Sequence, residues 1–402
     1  STGEITMKIA VVTTTRSEYS LNRWVIKRIL NDRDLELQLL VGGSHFASLY
    51  GKTYKEIEED GVNNFYKIEF TLGSDSFQAL SKSVGVASIS VAQIFEYDKP
   101  DFLLINGDRY ELFAFVMPAL LFRIPIGHIG GGEITEGAID DMVRHSITKC
   151  ASLHFVSCEE YARNISLLGE EDWRIHIVGA EGIENIIKLK QYSLGELKKF
   201  LSLDLSKPTV LISYHPATAE INIGPEEQID ILLKALDQFK DLQLVFTAPG
   251  VEHGAEIFFK KVENYASKYP ERVKFYKSLG GKLYLSVLKN VKCIIGNSSS
   301  GIIEAPFLKI PTINIGNRQR GRVKIKSVID VGYDPQKIAE LLKRILSDHS
   351  FVRAITSGKY PFGNGNVSNN IVNAIKENIY NKELLHKKLD FDVKDNEWHR
   401  YF

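Results

Sequence analysis

Residues 297–302 read Asn297-Ser298-Ser299-Ser300-Gly301-Ile302, and they follow the apolar run Val291-Lys292-Cys293-Ile294-Ile295-Gly296. That run has the length and composition of a strand buried in a parallel sheet. The residues from Ile302 to Phe307 can begin a helix. A strand that ends in a small, hydroxyl-rich turn and opens a helix aims unpaired backbone N–H groups at one point, and that point attracts an anion. Three serines add hydroxyl donors there, and Glu304 adds a carboxylate one turn on. Phosphate donors followed by a carboxylate suit a nucleotide, with diphosphate at the turn and ribose hydroxyls on the glutamate. A plainer reading competes with this one: Asn297 or a serine capping an ordinary crossover helix. Both readings make the stretch a strand–turn–helix unit, and that unit decides the fold class.

Outward from this unit the same alternation runs along nearly the whole chain. Toward the N-terminus, strands are expected at Lys8 to Thr13, Leu35 to Val41, Phe102 to Asn106, Ile124 to Ile129 and Leu153 to Val156. Helical spacing fills Tyr19 to Leu30, Gln78 to Glu96, Glu111 to Phe122 and Asp140 to Cys150. A second series of strands covers Thr209 to Ser213, Leu242 to Phe246, Val273 to Tyr276, Cys293 to Ile295 and Thr312 to Ile315, with helices at Gln228 to Phe239, Ala255 to Tyr269, Leu283 to Leu288 and Pro335 to Leu346. Strands alternating with helices imply parallel sheets covered on both faces. The expected fold is therefore α/β, with two doubly wound Rossmann-like domains and a ligand cleft between them at the strands' carboxyl ends. The boundaries are residues 7–187 for the first domain and 188–365 for the second, joined by the polar stretch from Lys188 to Lys207. Residues 366–402 hold one helical pattern, Asn369 to Ile379, and a charged tail with Trp398 and Phe402 that is expected to pack back on the first domain. Residues Ser1 to Thr6 read as an expression remnant or a frayed start, with Met7 as the natural first residue.

Bulk composition narrows the function. The 402 residues carry 50 basic and 50 acidic side chains, so no basic face is implied and nucleic acid is a poor partner. The three cysteines, Cys150, Cys158 and Cys293, form no CxxC pair, which fits a reducing cytoplasm better than a disulfide framework. No stretch approaches the length of a membrane-spanning apolar helix and no signal peptide is visible, so no membrane partner is expected.

Polar clusters recur where strands end. The first strand lacks GxGxxG and closes instead in Thr13-Thr14-Thr15-Arg16-Ser17-Glu18-Tyr19-Ser20, which argues against a nicotinamide cofactor. Arg16 there can pair with phosphate, or stand as a plain loop arginine. Gly51-Lys52-Thr53 resembles the end of a phosphate-binding loop, but the glycine required five residues earlier is Phe46, so an ATPase is excluded. In Asn106-Gly107-Asp108-Arg109-Tyr110-Glu111, Asp108 can exchange a proton and Arg109 can neutralise a phosphate. The competing reading is a helix cap with a charged first turn. After His128-Ile129-Gly130-Gly131-Gly132-Glu133, the residues Glu133, Glu136, Asp140 and Asp141 crowd one region with Arg144 and His145. Neighbouring carboxylates favour acid/base work near neutrality. Alternatively, Arg144 and His145 merely pair with an acidic helix start. No HxH or HExxH spacing supports a metal. Ser213-Tyr214-His215-Pro216 places a histidine on the edge of the second sheet, and Asn317-Arg318-Gln319-Arg320-Gly321-Arg322 places three arginines beyond the last strand read there.

In this order and at these spacings, the segments resemble the hydrolysing UDP-N-acetylglucosamine 2-epimerases of bacterial sialic-acid and legionaminic-acid pathways, over roughly Lys8 to Asn378. The matching segments are Thr15 to Tyr19, Gly107-Asp108-Arg109, Gly131-Gly132-Glu133, Ile139-Asp140-Asp141, Arg144 to Lys149, His215-Pro216, Gly296 to Ser299 and Gly316 to Arg322. The resemblance implies a GT-B type fold and conversion of UDP-N-acetylglucosamine to N-acetylmannosamine and UDP. UDP is eliminated to a 2-acetamidoglycal, and water then adds. No cofactor and no metal are implied. Carried over by position, Arg16, Ser20, Arg109, His215, Ser298, Ser299, Glu304 and Arg318 contact UDP. Asp108 and Asp140 match acid/base positions, Glu133 and Asp141 stand beside them, and His45 and His145 are sugar contacts. A homodimer or homotetramer in the cytoplasm is expected. The nearest alternative substrate is the UDP-2,4-diacetamido-2,4,6-trideoxy analogue. A non-catalytic UDP-sugar-binding protein and a GT-B glycosyltransferase are the remaining readings. Two positions depart from the family pattern: Gly130 stands where animal relatives carry a glutamate, and Thr247-Ala248-Pro249-Gly250 replaces an asparagine-containing loop.

Overall fold

The computed structural model of the chain describes residues 6–46, 53–70, 72, 76–136, 139–217, 220, 222–248 and 254–390. The readings that fall on Ser1 to Ile5, Gly51-Lys52, Thr218, Pro249-Gly250 and the end of the tail with Trp398 and Phe402 lie outside the described residues. The chain divides into two compact units. The first gathers Ser1–Glu133, Ile139–Glu184 and Pro361–Phe402, and the second Ile134–Ala138 and Asn185–Tyr360.

Seven strands build the first sheet: β1 (Met7–Thr13), β2 (Leu35–Gly42), β3 (Tyr66–Ile68), β4 (Phe102–Asn106), β5 (Ile126–Ile129), β6 (Leu153–Val156) and β7 (Ile175–Ile177). Their order is β3-β2-β1-β4-β5-β6-β7, with every pairing parallel. Six more build the second: β8 (Thr209–Ser213), β9 (Gln243–Thr247), β10 (Val273–Tyr276), β11 (Cys293–Gly296), β12 (Thr312–Ile315) and β13 (Val328–Val331). Their order is β10-β9-β8-β11-β12-β13, again all parallel. Each sheet winds outward from its first strand in one direction and then restarts in the other. The switch points therefore lie between β1 and β4 and between β8 and β11, where doubly wound sheets open a crevice for ligands.

The sequence pattern explains the layering. All five residues of β4 and of β8 are buried, because helices cover both faces. Alternate residues of the first sheet face two separate cores: Ile9, Val11, Phe102 and Leu104 on one face, and Ala10, Val12, Leu103 and Ile105 on the other. Helix Val367–Asn378 belongs to the first unit and lays Ile371 and Ile375 into the same core as Ile26 and Ile29 of helix Arg16–Leu30. Arg174, fully buried, donates to the carbonyls of Ser152 (3.1 Å), Glu383 (2.8 Å), Leu384 (3.0 Å) and His386 (3.3 Å) and so ties the following segment down.

Three strands escape a sequence reading, and all are short edges. β3, β7 and β13 hold three or four residues each, interrupted by Lys67, His176 and Asp330, so no sustained apolar run marks them. Short, polar edges are how sheets avoid pairing with other chains. The chain after β11 continues as a 3-10 turn, Ser299–Gly301, and a single helical turn, Glu304–Phe307, inside the short segment expected to begin a helix. Lys309 in the left-handed region (φ 58) and Pro311 end it before β12. Among the described residues no helix is long and apolar enough to cross a membrane.

Candidate active site

In the first unit the acidic residues gather on one guanidinium. Helix Ile139–Cys150 carries Arg144, whose side chain is 1% exposed. Its Nη2 pairs with Asp108, which follows β4 by two residues. Its Nη1 donates to Asp141 Oδ1 at 2.9 Å and to the carbonyl of Glu133 at 2.9 Å. His145 Nε2 lies 3.2 Å from the other oxygen of Asp141. The pairing of Arg144 and His145 with the acidic helix start is thus present, but Asp108 joins it from 36 residues upstream. Asp108 and Asp141 keep 28% and 23% of their side chains exposed, so one flank of each is open to a substrate. A buried cation between two carboxylates loses hydration on all three groups, and it persists because forked hydrogen bonds fix the geometry. Asp140 lies exposed on the first turn of the same helix, and Glu133 is partly buried, touching Arg144 through its backbone.

The other first-unit residues divide into two kinds. Arg109 is held by Glu111 through Nη2 (2.6 Å) and Nε (3.1 Å), which leaves its remaining nitrogen for an anion. Arg16, the first residue of helix Arg16–Leu30, pairs with Glu56 and is 43% exposed. Ser20 sits one turn further on, partly buried. His45 and His128 are, by contrast, fully buried. The His45 ring nitrogens lie 2.9 Å from Thr13 Oγ1 and 2.9 Å from Thr53 Oγ1. His128 Nε2 is 2.8 Å from the carbonyl of Gly107, and Nδ1 is 3.2 Å from Thr148 Oγ1. Burial pushes both imidazoles down to about 4, so they stay neutral and brace the loops. Both nitrogens of His45 are engaged by threonine hydroxyls.

In the second unit the decisive stretch is braced from both sides. Gly296 adopts φ 145, and a Cβ there would lie 2.0 Å from the carbonyl oxygen of Ser213, so only glycine lets β11 approach β8 at the switch point. Asn297 is buried and caps nothing. Its Oδ1 accepts from the His215 backbone N–H (2.8 Å), and its Nδ2 donates to the His215 carbonyl (2.8 Å). Its own carbonyl accepts from Gln319 Nε2 (2.8 Å) and Arg318 Nη1 (3.1 Å). One residue thereby fixes the His215 loop and the 317–322 loop to the serine turn. The capping reading fails in its particulars: Ser298 precedes the 3-10 turn without a side-chain cap bond, and Ile303 precedes the helical turn.

The hydroxyls lie together. Ser298 Oγ, Ser300 Oγ and Tyr284 Oη are buried in one cluster. Tyr284 stands beside Ser213, Ser298 and Ser300, and burial raises its phenol to about 12. Glu304, partly buried, faces both Tyr284 and Tyr360. Because the helix is a single turn, its dipole offers an anion little here. Ser299 and Arg318 are exposed on the same edge. No group of three or more His, Cys, Asp or Glu side chains among the described residues could hold a metal ion.

Sequence reasoning missed four participants. Tyr284 sits inside helix Gly280–Lys289 and looks like core packing. Glu18 is buried, accepts from Thr14 N (2.6 Å) and Thr14 Oγ1 (2.8 Å), and is pushed up to about 7, chiefly by burial. Asn106 and Glu181 meet at 2.8 Å although 75 residues separate them. The one available signal was position, since each of these but Tyr284 ends a strand or starts the helix after it.

A family model described as UDP-N-acetylglucosamine 2-epimerase matches residues 27–376. A GDP/UDP-N,N'-diacetylbacillosamine 2-epimerase (hydrolyzing) of Campylobacter jejuni is 41% identical over 323 residues, which cover 80% of this chain and 84% of that protein. The polysialic acid biosynthesis protein P7 of Escherichia coli is 34% identical over 382 residues, covering 94% and 96%. Among solved structures, the UDP-GlcNAc 2-epimerase of Neisseria meningitidis bound to UDP-GlcNAc matches with a TM-score of 0.71 at 18% identity, covering 92% of this chain and 100% of that one. At that identity the likeness speaks for the fold.

Proposed function

The chain belongs to the UDP-N-acetylglucosamine 2-epimerase family, and on that premise we propose that it is a hydrolysing 2-epimerase acting on a UDP-2-acetamido sugar. The observation that carries the reading is the pair of partly exposed carboxylates, Asp108 and Asp141, on the buried guanidinium of Arg144. A carboxylate removes the proton at C2 while the C1–O bond to the diphosphate breaks, giving a 2-acetamidoglycal and UDP. Water then adds its oxygen to C1, and C2 receives a proton on its other face. The C2 proton is weakly acidic, so cleavage at C1 must run ahead, and stabilisation of the departing diphosphate carries most of the barrier. Ser298, Ser299, His215 and Arg318 would hold the diphosphate, with Glu304 on the ribose hydroxyls and Tyr284 among the donors. Arg16, Ser20 and Arg109 would add further phosphate contacts.

Sequence reasoning puts UDP-N-acetylglucosamine first among substrates. The 41% identity to a diacetylbacillosamine enzyme moves the weight to the 2,4-diacetamido-2,4,6-trideoxy sugar. The polysialic acid relative, matched over nearly its whole length, keeps UDP-N-acetylglucosamine as the second reading. We place the enzyme in the cytoplasm as a homo-oligomer. Incubation with each UDP-sugar in heavy water tests the proposal. UDP release with one deuterium at C2 supports elimination, and the faster substrate names the specificity. UDP release without deuterium rejects elimination, and UDP binding without turnover of either sugar leaves a binding protein. Asp108→Asn should abolish turnover while sparing UDP affinity; equal loss of both would make Asp108 structural.

A further inference from the structure

We propose that Glu181 is a second proton-carrying group of the first unit, a catalytic acid/base residue brought to the switch point of the first sheet by Asn106. The inference rests on the epimerase reading above and adds a residue that neither the motifs nor the Arg144 cluster includes.

Glu181 opens helix Glu181–Lys188, which follows the edge strand β7. A carboxylate there would ordinarily stay at the edge. Instead its Oε1 accepts from Asn106 Nδ2 at 2.8 Å, and Asn106 ends β4, three strands inward. The same Asn106 Nδ2 lies 2.8 Å from Asn22 Oδ1, on the helix that follows β1. The carboxylate of Glu181 therefore sits at the β1/β4 switch point, beside the residues that lead into Asp108. The chain returns there because the segment after β7 is fastened from outside: Ala180 N donates to the Phe362 carbonyl at 2.9 Å, and a Cβ on Gly179 would lie 3.0 Å from that same oxygen.

The backbone beside Asn106 is open. A Cβ built on Gly107 meets no atom within 4 Å, and one built on Gly130 meets nothing nearer than Asn106 Oδ1 and Gly107 N, both at 3.8 Å. Two glycines thus leave the backbone next to Asn106, the partner of Glu181, without side chains. The electrostatics separate Glu181 from Asp108. Asp108 is paired with a guanidinium, whereas the partner of Glu181 is a neutral amide. Among the described residues, the charged groups that act most strongly on Glu181 are Glu133 and Glu184, both acidic. Burial, with those two carboxylates, pushes its carboxyl up to about 7, so it holds a proton for about half the time near neutrality.

Inversion at C2 requires a group that takes a proton on one face and a group that gives one on the other. Asp108 as the carboxylate removes the C2 proton as the C1–O bond breaks and UDP departs with the bonding electrons. Protonated Glu181 then gives its proton to C2 as the oxygen of water bonds to C1 and that water's second proton passes to solvent. Asp108 afterwards releases its proton and Glu181 regains one from solvent, which restores both groups.

Glu181→Gln tests this, because the amide oxygen can still accept from Asn106. With the UDP-sugar that the wild-type chain turns over, kcat should fall about 100-fold or more. KM and UDP affinity should stay within about twofold, and the pH dependence of kcat near 7 should disappear. Glu181→Asp, which keeps an acid on a shorter arm, should recover part of kcat and restore that limb. Glu181→Gln with wild-type kcat and an unchanged pH profile overturns the inference, as does an equal loss of kcat and UDP affinity. A wild-type chain that turns over no UDP-2-acetamido sugar fails at the earlier step and removes the epimerase reading together with this one.

Discussion

Arg144 is the residue on which the first-unit site turns. It reaches Asp108, Asp141 and the Glu133 carbonyl with one planar group, a task for which a fork of N–H donors is required. Arg144→Lys keeps the charge but supplies one point of attachment, so at least one carboxylate must drift. We expect kcat to fall about 100-fold, the cost of misplacing a reacting group by roughly 1 Å, with UDP affinity unchanged. Steady-state kinetics and calorimetric UDP titration check this, and a wild-type kcat would rule out the positioning role. Glu18 makes a different residue-scale prediction. Its carboxyl, ordinarily near 4.5, is raised to about 7 in the fold by burial. Between those values the folded chain binds more protons than the unfolded chain, so this group's contribution to stability falls as pH rises from about 4.5 to about 7 and stays lost above. The shift corresponds to roughly 3 kcal/mol. Glu18→Gln removes the penalty, so its melting temperature should gain on wild type at pH 8 by more than at pH 5. An equal difference at both values would mean that Glu18 is not raised.

At the scale of elements, the β8–β11 pair is the most constrained. The backbone of Gly296 runs so close to Ser213 that Gly296→Ala must spread the strands or unfold the turn, at a cost of about 4 kcal/mol or more. Denaturant unfolding measures this directly, and a loss below about 1 kcal/mol would show that the strands can part. Asn297→Ala should act differently. It frees the His215 loop and the 317–322 loop together without disturbing the sheet, so UDP affinity should drop about tenfold or more while stability changes less than for Gly296→Ala. The elements themselves were largely legible. β4, β6, β8 and β12 appear at the bounds their apolar runs imply, because helices cover both faces of these strands and every residue in them is buried. The edge strands β3, β7 and β13 were not legible, since an edge carries polar residues and few of them. The short helical segment read from Ile302 to Phe307 appears as one turn, Glu304–Phe307, which Lys309 and Pro311 stop.

At the scale of the whole molecule, the C-terminal segment is part of the first unit's core. Val367, Ile371, Val372 and Ile375 are all at most 1% exposed, and burying each such side chain stabilises by about 1.5–3 kcal/mol. Arg174 adds hydrogen bonds to the carbonyls of residues 383, 384 and 386. A chain truncated before Pro361 should therefore lose the cooperative unfolding of the first unit, seen as a missing transition in calorimetry and as aggregation. A truncated protein that melts as the full chain does would contradict this. The same segment fastens Ala180, and through it the start of the helix that carries Glu181, so deletions in it should also depress kcat.

What the amino-acid order by itself determined is what depends on neighbours in sequence: parallel strands, because their residues are apolar without interruption; their polar ends, because the chain must leave the sheet there; and the identity of the residues on those ends, from Asp108 to Arg318. It also placed Arg144 beside Asp141, since three residues along a helix share one face. The tertiary structure alone decided which ends meet. Strand order brings Asn106 to Asn22 and Glu181, and folding brings Asp108 to Arg144 and His215 to Asn297 across 82 residues. It also decided that His45 and His128 are buried, with both ring nitrogens of each near a hydrogen-bond partner. A side chain's chemistry is local, but its protonation, its partners and its access to a ligand are set by the field and packing of residues far away in the chain.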